Sequence, residues 1–93
     1  MKVTTSSGFG CDANEKIKND FRFVEALASM ESGNPSEALR GQVDMLRLLL
    51  PSADLKALYA HVAEEDGTVP TDRVIAESME IIQALGKDAE TKN

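Results

Sequence analysis

The stretch Gly33-Asn34-Pro35-Ser36-Glu37 carries the signals that end one helix and begin the next. Glycine favours the left-handed conformation that commonly ends a helix, and asparagine is a preferred N-cap residue. Proline suits the first helical position, where its missing N–H is not needed, and a glutamate three residues after the cap can complete a capping box. The sequence therefore predicts two helices that meet at this stretch.

Apolar residues at helical spacing lie on both sides of this boundary. Upstream, we predict a first helix over residues 20–32, with Asp20 as its N-cap. Its predicted inner face consists of Phe23, Val24, Leu27 and Met30. Downstream, the predicted inner face of the second helix consists of Leu39, Val43, Leu46 and Leu50. Leu48 and Leu49 widen this second stripe, so we expect the second helix to be the central one.

Two further helices follow in the same way. Pro51 is expected to stop the second helix and Ser52 to cap the third, which Asp66-Gly67 would end. The predicted inner face of the third helix consists of Leu55, Leu58, Tyr59 and Val62. The fourth helix is predicted from Pro70 or Thr71 to Leu85, with Gly86 as its end. Its predicted inner face consists of Val74, Ile75, Met79, Ile82 and Leu85.

The N-terminal residues have the pattern of a β-hairpin. Val3 and the two threonines after it favour extended backbone, and Ser6-Ser7-Gly8 can form a turn. In the returning strand, Phe9, Cys11 and Ala13 alternate onto one face. An isolated hairpin is marginally stable, so we expect it to pack on the helices or to pair with another chain.

The sequence thus predicts a mainly α fold, in which a small N-terminal β-hairpin precedes a compact four-helix domain. We expect one domain over residues 1–86, with the hairpin over 2–13, the helices over 20–85, and a flexible tail over 87–93. The predicted core consists of Leu27, Val43, Leu46, Leu58, Val62, Ile82 and Leu85.

The composition excludes several classes of function. The net charge is −6, which disfavours binding to nucleic-acid phosphates or to an anionic membrane surface. No apolar run approaches the ~18 residues that a membrane-spanning helix needs. The one cysteine, Cys11, can form neither an internal disulfide nor a structural zinc site, and we interpret it as a small apolar residue of a strand.

No residue pattern predicts catalysis, and we expect no catalytic residue, no cofactor and no metal. His61 is the one histidine, and we interpret it as a partly exposed residue of the third helix. Aligning Gly67 with the invariant glycine of a calcium-binding EF-hand loop places Val62 and Arg73 where carboxylates are required. Ser36 lacks the Asp-Ser-Leu context in which acyl carrier proteins carry their prosthetic group.

The order of these features resembles one protein family. Five features occur in a characteristic order: the hairpin, the segment Phe23-Val24-Glu25-Ala26-Leu27, the Gly33-Asn34-Pro35 boundary, the Leu-rich second helix and residues 65–70 (Glu-Asp-Gly-Thr-Val-Pro). This order resembles that of the small tail assembly chaperones of long-tailed phages and prophages of Gram-positive bacteria. The resemblance covers residues 2–86 and lies in the layout and short motifs.

The resemblance implies a non-enzymatic protein of the host cytoplasm that is absent from the mature virion. It implies binding to the largely helical tape-measure protein and recruitment of tail-tube subunits. It also implies that a longer product can be made by ribosomal frameshifting, for which the terminal Thr91-Lys92-Asn93 is compatible with a slippery codon run. The free edge of the hairpin permits self-association.

Within the second helix, Met45, Leu48 and Leu49 are the residues that we predict to contact the partner. One helix face cannot bury every residue of a widened apolar stripe equally, so some of its side chains should stay exposed. The alternative for Leu48 is packing under the hairpin. The competing functions are an acidic inhibitor or DNA mimic, which the interspersed lysines and arginines disfavour, a structural subunit of the tail, and another small phage-encoded protein-interaction module.

Overall fold

The protein consists of a two-stranded antiparallel hairpin and four α-helices, which confirms the predicted fold class. The computed structural model describes residues 1–91, and the side chains of residues 1–86. The strands are β1 (Lys2–Thr4) and β2 (Gly10–Asp12), and a 3₁₀ helix follows over Glu15–Asn19. The α-helices are α1 (Phe21–Met30), α2 (Pro35–Leu49), α3 (Ser52–Val62) and α4 (Thr71–Thr91).

The hairpin has the predicted turn, and its two strands pair in an antiparallel register. Val3 pairs with Cys11, and Gly8 has a φ of 91°, which a residue with a side chain rarely adopts. Phe9, Cys11 and Ala13 are all buried, so the alternation predicted from the sequence is confirmed. The N–H of Asp12 on the outer edge of β2 donates to Asp54 Oδ2 at 2.8 Å, so α3 covers part of that edge. Self-association through the hairpin stays a prediction.

The caps around α1 and α2 follow the sequence signals closely. The side chain of Asp20 accepts a hydrogen bond from the Arg22 N–H at 2.9 Å, and Asn34 Oδ1 accepts one from the Ser36 N–H at 2.9 Å. The predicted capping box is wrong in one half, because the Asn34 N–H donates to Ser32 Oγ at 3.2 Å rather than to a glutamate. The hydroxyl of Ser32, in the preceding turn, is therefore the acceptor for the N-cap N–H in place of the glutamate.

The ends of α3 and α4 differ from the prediction. Pro51 occupies the N-cap of α3 without a side-chain hydrogen bond, and Ser52 is the first helical residue. The helix ends at Val62, before the turn that contains Gly67. α4 continues through Gly86 to Thr91, since a glycine is tolerated within a helix at a modest cost. Residues 92–93 of the predicted tail, with the Lys-Asn pair, lie outside the described residues.

The core draws on every element of the fold. Its buried apolar residues are Val3, Phe9, Cys11, Ala13, Ile17, Ala26, Met45, Leu46, Leu49, Leu50, Leu58, Val62, Val74, Ile81 and Leu85. Of the predicted core, Leu46, Leu58, Val62 and Leu85 are confirmed as buried. The other three, Leu27, Val43 and Ile82, are half-buried.

Three residues of the predicted inner faces are exposed instead: Val24 by 51%, Leu39 by 56% and Met79 by 53%. In α4 the buried side consists of Val74, Ser78, Ile81 and Leu85, with Glu77 beside them, so the inner face is rotated away from Met79. The exposure of these three residues follows from the placement of neighbouring helices, which helical periodicity alone does not specify.

The centre of α2 is more enclosed than the sequence suggested. Met45 and Leu49, two of the residues that we predicted to contact the partner, are exposed by only 1% and 0% and belong to the core instead. α1 covers one side of α2, and the N–H of Asn14 donates to Leu49 O at 2.8 Å from the other. Leu50 is the C-cap of α2 and has extended backbone. The direction of its side chain is therefore not determined by the helical periodicity of the stripe. Several elements around one helix therefore bury a stripe that a single face could not.

Candidate functional site

A cluster of polar side chains connects the hairpin turn to α3 and α4. We call Thr5, Ser7, His61 and Glu77 the hairpin-turn cluster. Glu77 Oε1 accepts hydrogen bonds from Thr5 Oγ1 at 2.8 Å and from Ser7 Oγ at 2.7 Å. Ser7 Oγ also lies 3.0 Å from His61 Nε2. Next to the cluster, the N–H and hydroxyl of Ser6 donate to the carboxylate of Glu80 at 2.8 and 3.0 Å.

The chemistry of these side chains indicates which of them donates and which accepts each hydrogen bond. An ionised carboxylate only accepts hydrogen bonds, so Thr5 and Ser7 both direct their hydroxyl protons at Glu77. With its proton directed at Glu77, Ser7 Oγ can accept a hydrogen bond from His61 Nε2 in the tautomer that carries the ring proton there. The cluster therefore fastens the hairpin to the helices.

The sequence contains one signal for this cluster, a glutamate among the apolar residues of α4. Glu77 is only 6% exposed and lies three residues after Val74 and four before Ile81, on the buried side of the helix. Carboxylates are almost never buried without partners, so a glutamate in such a position implies donors nearby. Our sequence-based expectations missed this residue. Its donors come from the hairpin turn, and their proximity depends on the tertiary fold.

The thiol of Cys11 lies in the inner face of β2 and is buried, which confirms its interpretation as a small residue of a strand. Burial raises the pKa of this thiol, and the carboxylates of Asp54 and Asp12 raise it further. A raised pKa keeps the sulfur protonated and lowers its reactivity. No group of three or more potential metal ligands occurs within the described residues.

A groove lies between α1 and α2. We call it the α1–α2 groove. It has a volume of about 490 Å³ and is lined by Arg22, Glu25, Ala26, Ser29, Asp44, Arg47 and Leu48. The two helices approach closely at Gly41, where an added Cβ would collide with Ala26 and Ser29, two residues that line the groove. Of the three predicted partner residues, Leu48 alone lines this groove, and it is half-buried against the core.

A second groove adjoins the first along α2 and shares Asp44 and Arg47 with it. We call it the outer groove of α2. It has a volume of about 460 Å³ and is lined by Ser36, Leu39, Arg40, Val43, Asp44 and Arg47. A third groove, of about 430 Å³, lies where the hairpin, the 3₁₀ helix and the end of α2 meet, and it is lined in part by Arg47 and Leu48. Arg47 thus borders all three grooves.

Several apolar side chains of α1 and α2 are exposed. Phe21, at the start of α1, is exposed by 73%, and Val24 one turn later by 51%. Leu39 in the outer groove of α2 is exposed by 56%. The sequence pattern placed Val24 and Leu39 on the inner faces of their helices, so the exposure of these two side chains was not predicted.

None of the helices described is both long and apolar enough to cross a membrane. Comparison of the chain with models of protein families, with curated proteins and with solved structures gives no match. Function is therefore inferred from the residues and surfaces of the chain itself.

Proposed function

We propose that this chain is a non-enzymatic tail assembly chaperone of a long-tailed phage or prophage of Gram-positive bacteria. In this role it binds the tape-measure protein and assists assembly of the tail tube. The proposal joins the resemblance in the order of the sequence motifs to the surface of α1 and α2. It also places the protein in the host cytoplasm and outside the mature virion.

The observation that carries the proposal is the exposed apolar surface of two adjacent helices. Phe21, Val24 and Leu39 project from α1 and α2, and Leu48 lines the groove between these helices. Single exposed apolar residues are ordinary, but several on one pair of packed helices are typical of a protein-interaction surface. A tape-measure protein presents apolar helical surface until the tube encloses it, and a helical face of this kind can cover such a surface.

A contribution from Met45 and Leu49 is not part of this proposal, because both side chains are buried. Leu48 remains as a half-exposed contributor from the predicted set. The proposed contact surface therefore consists of Phe21, Val24, Leu39 and Leu48.

Co-expression with the tape-measure protein encoded in the same tail gene cluster tests the proposal. We expect the wild-type chain to raise the soluble fraction of the tape-measure protein and to co-purify with it. Phe21→Asp and Leu39→Asp should remove most of this effect while the isolated domain stays folded, because both side chains are mainly exposed. Asp at position 21 also lies in the first turn of α1, where a negative charge is favourable.

The matched control is Met79→Asp, which introduces the same charge at a similarly exposed apolar residue of α4, 53% against 56% for Leu39. We expect this variant to support solubility as the wild type does. Failure of the wild-type chain to bind or solubilise the tape-measure protein would refute the proposed function. Equal losses in Leu39→Asp and Met79→Asp would refute the assignment of the contact surface to α1 and α2.

A further inference from the structure

The outer groove of α2 combines apolar side chains with arginines that have no ion-pair partner. Within residues 1–86, the ion pairs join the amino group of Met1 to Asp12 and the guanidinium of Arg22 to Asp20. Neither Arg40 nor Arg47 belongs to a pair, and both are exposed. Asp44 is the one carboxylate among the residues that line this groove. The groove is therefore locally cationic on a chain whose net charge is −6.

The spacing of the residues that line the outer groove of α2 indicates which kind of ligand would fit it. Arg40 and Arg47 are seven residues apart on α2, which is two helical turns or about 10.5 Å along the axis. Leu39 and Val43 lie one turn apart beside them and supply the apolar part of the groove. A second helix of the sequence pattern Glu-x-x-Leu-Leu-x-x-Glu presents two carboxylates at the same separation, with two apolar residues between them on the same face.

We propose that the outer groove of α2 docks an acidic amphipathic helix, whose carboxylates pair with Arg40 and Arg47 and whose apolar residues cover Leu39 and Val43. The inference rests on the proposed function, because it specifies the chemistry of the partner segment for the same face of the protein. Guanidinium groups bind carboxylates with two parallel hydrogen bonds, which gives this pairing directional specificity.

The charges close to the outer groove of α2 determine whether an acidic helix is attracted to it, even though the chain as a whole is acidic. At physiological ionic strength the screening length is about 8 Å, so distant carboxylates act weakly on a group in the groove. Nucleic acid is disfavoured as the occupant, since its phosphate backbone would extend beyond the groove over a chain whose net charge is −6.

Two designed helical peptides test the proposal with the full chain. One has the pattern Glu-x-x-Leu-Leu-x-x-Glu in an alanine-based helix, and the other has Lys in place of both Glu. In fluorescence anisotropy titrations we expect the wild type to prefer the Glu peptide by roughly tenfold. Two exposed ion pairs contribute a few-fold each, and the Lys peptide replaces them by like-charge contacts.

Arg47→Glu should reverse this preference, and Leu39→Ser should weaken binding of both peptides. The matched control is Arg73→Glu, which changes the charge equally at an exposed position of α4 that borders none of the three grooves. It should keep the wild-type preference. In ¹⁵N-labelled protein, the Glu peptide should shift the amide resonances of Arg40, Val43 and Arg47 most.

Several results would overturn the inference. These are equal affinity for the two peptides, no binding at millimolar peptide, equal effects of Arg47→Glu and Arg73→Glu, or resonance shifts centred elsewhere. A dimer that Arg47→Glu abolishes, without peptide binding, would assign the groove to a second copy of the chain. If Arg47→Glu solubilises the tape-measure protein as the wild type does, the inference fails and the proposed function stands. If the wild type prefers the Glu peptide but has no effect on the tape-measure protein, the proposed function fails and the groove keeps its preference for an acidic helix.

Discussion

The close approach of α1 and α2 at Gly41 allows a stringent test of the fold. A Cβ atom at position 41 would lie 2.6 Å from the carbonyl oxygen of Ala26 and 2.9 Å from Ser29 Cβ. It would also lie 3.0 Å from Met30 Cγ. The first contact is with backbone, so it can be relieved only by moving the two helices apart. Gly41→Ala should therefore strain the packing of α1 against α2.

Two opposing effects determine the magnitude. Alanine is favoured over glycine in the interior of a helix by about 1 kcal/mol, which would stabilise the variant. Overpacking a close contact costs about 1–3 kcal/mol, and more where backbone atoms must move. Because the nearest contact is with the backbone of Ala26, we expect Gly41→Ala to lower the free energy of unfolding by about 1–2 kcal/mol, after the propensity gain is subtracted.

Chemical denaturation followed by circular dichroism measures this change. The matched control is Gly86→Ala, which also replaces a glycine within a helix but has no atom within 4 Å of the added Cβ. We expect the control to be neutral or to raise the free energy of unfolding by up to about 1 kcal/mol. If Gly41→Ala is as stable as the wild type or more so, the distance between α1 and α2 is wrong, and with it the shape of the α1–α2 groove.

Leu46→Ala should lower the free energy of unfolding by about 2–5 kcal/mol, because this side chain is only 2% exposed. A loss below ~1 kcal/mol in chemical denaturation would show that the buried face of α2 is misplaced. Glu77→Ala should lower the free energy of unfolding by about 1–3 kcal/mol, because the buried hydroxyl of Thr5 loses its acceptor. Amide hydrogen exchange in the hairpin should then become faster, and unchanged exchange there would contradict the role of Glu77 in holding the hairpin on the helices. The hydrogen bonds from Arg22 lower the pKa of Asp20. Since the folded pKa lies below the unfolded one, this contribution is present above about pH 4 and is lost as the pH falls through the folded pKa. The stability difference between wild type and Asp20→Asn should therefore shrink as the medium is acidified, whereas a constant difference would exclude this origin.

The beginnings of α1 and α2 and the hairpin turn could be predicted from the sequence because local hydrogen bonds specify them. Asn34 and Asp20 cap their helices through backbone N–H groups two residues away, and Gly8 supplies the positive φ of the turn. Such interactions involve neighbours along the chain, so they are readable from composition and spacing alone. The fold class follows from them together with the apolar periodicity.

The inward face of each helix and the composition of the candidate site were decided by tertiary packing. Helical periodicity identifies a stripe but not the directions from which other elements cover it. Met45 and Leu49 are buried because two elements enclose α2, whereas Leu39 is exposed because nothing described covers its side of that helix. The acceptor role of Glu77 likewise depends on residues about seventy positions away in the sequence. Burial and long-range polar contacts are properties of several elements at once, and no single segment of the sequence specifies them.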